Sequence, residues 1–314
     1  MIRLALVLPC YNEEAVLPLS IAKLLSLFDA LHRAGSISDD SFMLFVDDGS
    51  RDATWSIIEA NAKEHTCIRG ISLAHNAGHQ NAILAGMMTA REECDAVITI
   101  DADIQDDLNA ISRMVARCEE GYDIVYGVKV SRKADPLLKR LSAQAFYKMQ
   151  TTMGVKAVYN HADFRLMSRR ALNFLATYPE RNIYLRGMIP MLGLRQTTVD
   201  DVISEREAGE SKYNLVRMLS LAADGITSFS ARPIQLILTM GGIFMLVGVF
   251  MAIYILVSYC SGHVIAGWTS LMFSLWIIGG AIMLSLGVVG MYVAKIYTEV
   301  KRRPLYHIAL KTGF

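Results

Sequence analysis

Asp101, Asp103 and Gln105, spaced two apart in Asp101-Ala102-Asp103-Ile104-Gln105-Asp106-Asp107, are the residues best placed to do chemistry. Side chains alternate along an extended chain, so Asp101 and Asp103 share a side, and Gln105 continues it where the extended geometry persists. Two carboxylates and an amide oxygen are hard ligands that suit Mg2+ or Mn2+ held between protein and a diphosphate. Taken alone, the same stretch also reads as a solvated acidic turn. Asp103 is the first candidate for direct ligation, with Gln105 in support. Asp106 and Asp107 look like helix-start residues, favourable near the positive end of a helix dipole.

The carboxylates follow the apolar run Ala96-Val97-Ile98-Thr99-Ile100. A strand there would deliver them to the crevice where open α/β sheets bind ligands. Residues 4–8, 42–47, 68–73, 96–101 and 124–126 read as strands, and segments near 14–31, 54–64, 80–90 and 109–119 as helices. That alternation predicts an α/β fold with a mostly parallel, doubly wound sheet. Residues 131–212 are more polar and less regular, and are expected to carry substrate-specific loops.

Two more predicted strand ends are rich in polar groups: Pro9-Cys10-Tyr11-Asn12-Glu13-Glu14 and Asp47-Asp48-Gly49-Ser50-Arg51-Asp52-Ala53-Thr54. Both sit where a nucleotide would bind. Tyr11 can pack on a base or ribose, Glu13 can accept from ribose hydroxyls, and Asp48 can accept the N3–H of uracil. Gly49 allows a sharp turn and Thr54 can cap the next helix. Each of these residues taken singly is as readily a turn or cap. No GxxxxGK[ST], no GxGxxG after the first strand and no GxSxG occurs, which argues against ATPase, dinucleotide and hydrolase chemistry.

Composition bounds the rest. A net charge of +1 with no long basic run gives no reason to expect a nucleic-acid partner. Cys10, Cys67, Cys94, Cys118 and Cys260 are scattered with no CxxC pair, as in a reduced compartment. From residue 233 to 294 there is no Asp, Glu, Lys or Arg. Stretches at about 234–258 and 269–294 are each long enough to cross roughly 30 Å of hydrocarbon as a helix. Lys295, Lys301, Arg302, Arg303 and Lys311 follow them and Lys212, Arg217 and Arg232 precede them, while the link has neither Lys nor Arg. The positive-inside rule then places both termini and the N-terminal domain in the cytoplasm. Leu215, Met218, Leu219, Ala222, Ile226 and Phe229 recur at helical spacing, as in an amphipathic helix at a membrane surface or an ordinary packing helix. The expected organisation is a catalytic domain at 1–212, an interfacial helix at 213–232, two spans within 233–296 and a cytoplasmic tail at 297–314.

The motifs at 9–14, 47–52, 76–80 and 101–106 resemble the nucleotide-sugar motifs of family 2 glycosyltransferases, which have the GT-A fold. Asp163-Phe164-Arg165, Glu180-Arg181-Asn182, the run 206–213, the run 225–230 and the tail 297–306 resemble a narrower group. That group is the polyprenyl-phosphate glycosyltransferases, relatives of dolichol-phosphate mannose synthase, and within it the bactoprenol glucosyltransferases with two C-terminal membrane helices. The resemblance implies inverting transfer of a hexose, glucose from UDP-glucose first, to undecaprenyl phosphate at the cytoplasmic face of a bacterial inner membrane. The product would be a lipid-linked sugar for cell-envelope modification. The resemblance further implies a nucleotide-sugar donor held by Pro9, Tyr11, Asn12, Glu13, Asp48, Gln80, Asp101 and Ala102. It also implies a metal on Asp101, Asp103 and Gln105, and an acidic residue near the reacting centre at Asp163, which a salt bridge to Arg165 or Arg169 would instead make structural. Acceptor-phosphate cations fall on Lys129, Arg132, Arg140, Arg206 and Lys212. Where the family has Gly-x-Arg, this chain has Gly127-Val128-Lys129, a point charge in place of a fork, which favours Arg140. His79 reads as a packing or polar-contact residue.

The acceptor carries roughly −1.5 to −2 charge and is already a nucleophile, so a general base is optional. Relatives form tetramers, and a flippase or transferase would follow in the pathway. Other donors (GDP-mannose, UDP-galactose, a UDP-N-acetylhexosamine, an aminoarabinose donor) could use the same scaffold. A processive synthase would need a QxxRW motif that is absent, and a non-catalytic membrane scaffold has no use for the Asp101/Asp103 pair.

Overall fold

A computed structural model of the protein describes residues 1–129, 161–202, 232–261 and 267–314. They form two compact units, one of residues 1–129, 161–202 and 303–314, the other of 232–261 and 267–302. Most of the expected segment 213–232 lies outside the described residues, as do Arg132, Arg140, Arg206 and Lys212.

The first unit opens with β1 (Leu4–Cys10), α1 (Leu17–Arg33), β2 (Phe42–Asp47), α2 (Thr54–Glu64), β3 (Ile68–Leu73), α3 (His79–Ala90), β4 (Ala96–Thr99), α4 (Leu108–Glu119) and β5 (Ile124–Lys129). It continues with β6 (His161–Ser168), α5 (Arg169–Ala176), α6 (Leu185–Met191) and β7 (Gln196–Asp201), and closes with β8 (Ile308–Thr312). The eight strands lie in the order β7-β5-β6-β4-β1-β2-β3-β8. β1 pairs parallel with β2 and β4, β2 with β3, and β5 with β7.

Every residue of β1 and β2 is buried, as a sheet covered by helices on both faces requires. α1 places Leu17, Ile21, Leu24, Phe28 and Leu31 on one stripe of the core. Burying each such side chain contributes about 1.5–3 kcal/mol. α3 lies close against the sheet through Gly86. A Cβ added there would sit 2.3 Å from Val7 Cγ1 and 2.8 Å from Val46 Cγ2.

The predicted strands and helices up to residue 129 are all present, with ends shifted by a few residues. Beyond them the fold departs from expectation. Within the stretch read as irregular, the described part holds β6, α5, α6 and β7. β6 is antiparallel to both β4 and β5, so it begins at the sheet edge where those strands end. The tail also differs from a simple appendage: β8 pairs antiparallel with β3 and covers that edge of the sheet.

The second unit contains α7 (Arg232–Cys260) and α8 (Trp268–Lys301). Among the described residues one helical stretch is long and apolar enough to cross a membrane: Ile277–Lys301, with a mean hydropathy of 2.1 and no burial. The other expected span falls in α7, whose apolar stretch Ile237–Met251 is shorter.

Candidate active site

The carboxyl ends of β1, β2 and β4 meet at one edge of the sheet, where the order β4-β1-β2 makes the loops after neighbouring strands diverge. Two of these loops are locked together. Asn12, at φ 54°, donates its N–H to Ser50 Oγ (2.9 Å) and accepts from Arg51 N–H (2.9 Å) on Oδ1. Glu13 N–H donates to Thr54 Oγ1 (2.9 Å), and Glu14 N–H to Asp52 Oδ2 (3.2 Å). Thr54 therefore joins the two loops instead of capping α2, and its own N–H donates to Asp52 Oδ1 (3.0 Å). Gly49, at φ 67°, makes the sharp turn expected of it; a Cβ there would lie 2.8 Å from Asn76 N.

Asp47 and Asp48 point to different partners. Asp47 accepts from Ser50 N–H (3.0 Å) and Ser72 Oγ–H (2.7 Å). Asp48 is buried, and its two oxygens accept from Ala77 N–H (2.7 Å) and Gly78 N–H (3.0 Å), at the entry to α3. Burial raises the Asp48 carboxyl above its ordinary value despite these bonds. Each oxygen has a second lone pair for another donor. Pro9 is buried within β1 and Tyr11 is exposed beyond its end. Gln80 accepts Leu185 N–H (2.8 Å) on Oε1, tying α3 to α6.

After β4 the chain does not stay extended. Ile104 N–H donates to Asp101 O (3.1 Å), and Ile104 sits at φ 45°, a left-handed conformation that a β-branched residue rarely adopts. The turn folds Gln105 back so that its Nε2 donates to Asp103 Oδ2 (2.7 Å). Gln105 thus steadies Asp103 here. Ser20 Oγ–H clamps the turn from α1 by donating to Ala102 O (2.6 Å), and the Ala102 side chain joins the core. Asp107 caps α4 through Asn109 N–H (2.9 Å), as expected of a helix-start residue. Asp106 does not: it is buried, with Lys129 Nζ 3.8 Å away. Burial, then the negative charge of Asp101, push its carboxyl up to about 8 against the pull of Lys129.

The antiparallel β6 adds Asp163 to this edge. Its Oδ1 accepts from Arg165 Nη2 (2.6 Å) and Arg186 Nε (3.2 Å), and its Oδ2 from Arg186 Nη2 (2.8 Å). Arg169, the other partner considered, pairs instead with Asp95 at 3.3 Å. His79 Nε2 lies 3.4 Å from Asp163 Oδ2 and 3.7 Å from Asp101 Oδ1, so of the two expected roles, packing or polar contact, it takes the polar one between the two acids. Burial disfavours the Asp163 carboxylate, yet Arg186, His79 and Arg165 together hold its carboxyl well below the usual range. Burial lowers His79, and the Asp163 hydrogen bond with the Asp101 and Asp163 charges more than offsets it, leaving a net rise.

Asp101, Asp103 and Asp163 thus come together on one edge, with His79 and Arg186 between or beside them. No sequence motif marks Arg186. Its only signal is a single cation in the run Ile183-Tyr184-Leu185-Arg186-Gly187-Met188-Ile189.

Residues 5–175 match the family model described as glycosyl transferase family 2. The chain belongs to that family. This glycosyltransferase is 44% identical over 305 residues to "Uncharacterized glycosyltransferase YkoT" of Bacillus subtilis (strain 168), covering 97% of this chain and 90% of the relative. It is 35% identical over 308 residues to the "Prophage bactoprenol glucosyl transferase homolog" of Escherichia coli (strain K12), covering 98% of each. It is 36% identical over 312 residues to the "Bactoprenol glucosyl transferase" of Shigella phage SfII, covering 98% of this chain and 97% of the relative. Among solved structures, mannosyltransferase PcManGT from Pyrobaculum calidifontis, in complex with GDP-Man and Mn2+, is 16% identical, with a TM-score of 0.44 over 95% of this chain and 85% of that one. The mixed, mostly parallel sheet is GT-A-like, as the family resemblance implies.

Proposed function

We propose that this glycosyltransferase moves a hexose from a nucleotide sugar, UDP-glucose first among donors, to undecaprenyl phosphate with inversion at the cytoplasmic face of a bacterial inner membrane. The observation that carries the reading is the meeting of the Asp101–Asp103 turn with Asp163, His79 and Arg186 at the sheet edge where a nucleotide would lie. The near full-length likeness to proteins named bactoprenol glucosyl transferase supports the choice of acceptor and sugar.

Among the described residues no three His, Cys, Asp or Glu side chains form a metal-binding group. Mg2+ does not require one, because it keeps several waters and uses one or two carboxylates together with substrate phosphates. Asp101 and Asp103, half-exposed acids on one turn, fit that description, with Gln105 as an additional oxygen ligand if its amide turns over. Mg2+ or Mn2+ bound there would act as a Lewis acid on the leaving diphosphate. The protein's own residues do the rest. The locked loops after β1 and β2 frame the base and ribose with Tyr11, Asn12, Glu13 and Asp48, and Gln80 ties α3 to α6 beside them. Lys129, with Arg132, Arg140, Arg206 and Lys212, would attract the acceptor phosphate.

In this reading α7 and α8 both cross the membrane, residues 213–232 lie at its surface, and both termini are cytoplasmic. Positions 241, 242, 279, 280, 287 and 290 are glycines with nothing within 4 Å of an added Cβ. Such bare positions suit close packing between subunits of a homo-oligomer, and a flippase would take the product.

The test uses the full-length protein in detergent with labelled nucleotide sugars, undecaprenyl phosphate and Mg2+ or Mn2+. Wild type should transfer glucose from UDP-glucose. Asp103→Ala should lose metal-dependent transfer while its circular dichroism is unchanged; undiminished transfer by the variant would sink the metal assignment.

A further inference from the structure

Asp163 is the acid nearest to a general base in this site, and its surroundings are wrong for one. A carboxylate has about four lone-pair sites. Here Oδ1 receives two guanidinium N–H groups and Oδ2 receives a third, with His79 Nε2 beside it at 3.4 Å. A base must present a lone pair to the proton it removes. Protonating Asp163 would also break its pairing with two guanidinium groups at once.

The two arginines differ in what they face. Arg165 is wholly buried, whereas the Arg186 side chain is 37% exposed. Arg165 therefore anchors the carboxylate from inside the sheet, and Arg186 with the half-exposed His79 forms the outer layer beside Asp101. Two N–H groups of the Arg186 fork are directed at Asp163, and the partly exposed guanidinium stands at the same sheet edge as Asp101. A planar fork held in place by one carboxylate is pre-organised for phosphate oxygens.

We propose that Arg186 binds a substrate phosphate, and that Asp163 is its positioning counter-ion rather than the general base. The ligand chemistry is a set of phosphate oxygens, supplied either by the lipid phosphate monoester or by the nucleoside diphosphate. This deepens the transfer reading above and rests on it. It also fits an acceptor that is already an anion and needs no base.

The experiment compares wild type, Arg186→Gln, Arg186→Lys and Asp163→Asn, full length in detergent, with UDP-glucose and undecaprenyl phosphate. Losing a charge-assisted contact should lower kcat/KM about 10- to 100-fold in Arg186→Gln. Arg186→Lys should recover only part of that, since it keeps the charge without the fork. A raised KM for the lipid with an unchanged UDP inhibition constant assigns the contact to the acceptor. A raised UDP inhibition constant assigns it to the donor. Asp163→Asn should repeat the Arg186→Gln pattern and keep the acidic limb of the pH–rate profile. Either of two results overturns the proposal: both constants within about 2-fold of wild type in both Arg186 variants, or loss of the acidic limb in Asp163→Asn with KM unchanged. If wild type transfers no glucose, the transfer reading fails separately. Calorimetry with UDP and with undecaprenyl phosphate then decides the Arg186 contact, which survives only if Arg186→Gln weakens one of them.

Discussion

Removing either end of the Arg165–Asp163 ion pair should have unequal consequences. Arg165 is 0% exposed, donates one bond to Asp163 at 2.6 Å, and has Nε and Nη1 buried with no hydrogen-bond partner among the described residues. Arg165→Met removes a desolvated charge and two unsatisfied nitrogens in one step. It leaves Asp163 still paired with Arg186 and His79. Because Asp163 keeps the Arg186 fork, no buried charge is stranded, and the expected loss is well below the about 3–5 kcal/mol that removing one partner of an isolated buried pair costs. Asp163→Asn is the harsher change, because it strands the Arg165 guanidinium without a counter-charge. Breaking a buried pair in this way costs about 3–5 kcal/mol. For a unit of this size about 1 kcal/mol corresponds to a Tm shift of about 2–4 °C, so Asp163→Asn should melt roughly 10 °C lower and Arg165→Met much nearer wild type. The double variant should recover most of the loss, since the stranded charge is gone. The assay is thermal unfolding of the full-length protein in one detergent, followed by circular dichroism at matched concentrations. An Arg165→Met variant as unstable as Asp163→Asn, or a double variant worse than either, would refute the reasoning.

Asp106 predicts a pH dependence. Its folded-state carboxyl titrates at about 8, above the unfolded value, so the folded protein holds a proton the unfolded chain has lost. Stability therefore falls as pH rises from about 4 to 8, and Asp106→Asn should flatten that slope in Tm against pH; an unchanged slope would show that Asp106 is not its source. Gly86→Ala should destabilise by about 1–3 kcal/mol, the usual range for overpacking, because its Cβ would meet Val7 and Val46 in a full core. A stabilised Gly86→Ala variant would mean that helix propensity outweighs that clash.

The elements up to residue 129 were legible because each is a local pattern. Buried strands such as Phe42–Asp47 are continuous apolar runs, and α4 carries Ala110, Ile111, Met114 and Val115 on one stripe. The role of Asp107 as a helix cap was equally local. The turn after β4 was not: whether Gln105 shares a side with Asp101 and Asp103 depended on the chain staying extended, and the chain instead curls at Ile104, held from α1 by Ser20. Thr54 likewise looked like a cap until the neighbouring loop supplied Glu13 N–H as its partner.

By itself the sequence determined the alternation of strands and helices, the polar strand ends, the charge-free stretch from 233 to 294 and the family resemblance. All of these depend on residues near one another in the chain, or on ordered motifs. The tertiary structure decided which distant residues share the sheet edge. Because β6 runs antiparallel between β4 and β5, its Asp163 returns to the end where Asp101 stands, and α6, tied to Gln80, brings Arg186 onto it. No spacing encodes that meeting, since it follows from strand order and direction. The Asp163–Arg186 pair, Lys129 beside Asp106 and the β8 edge strand are all products of topology.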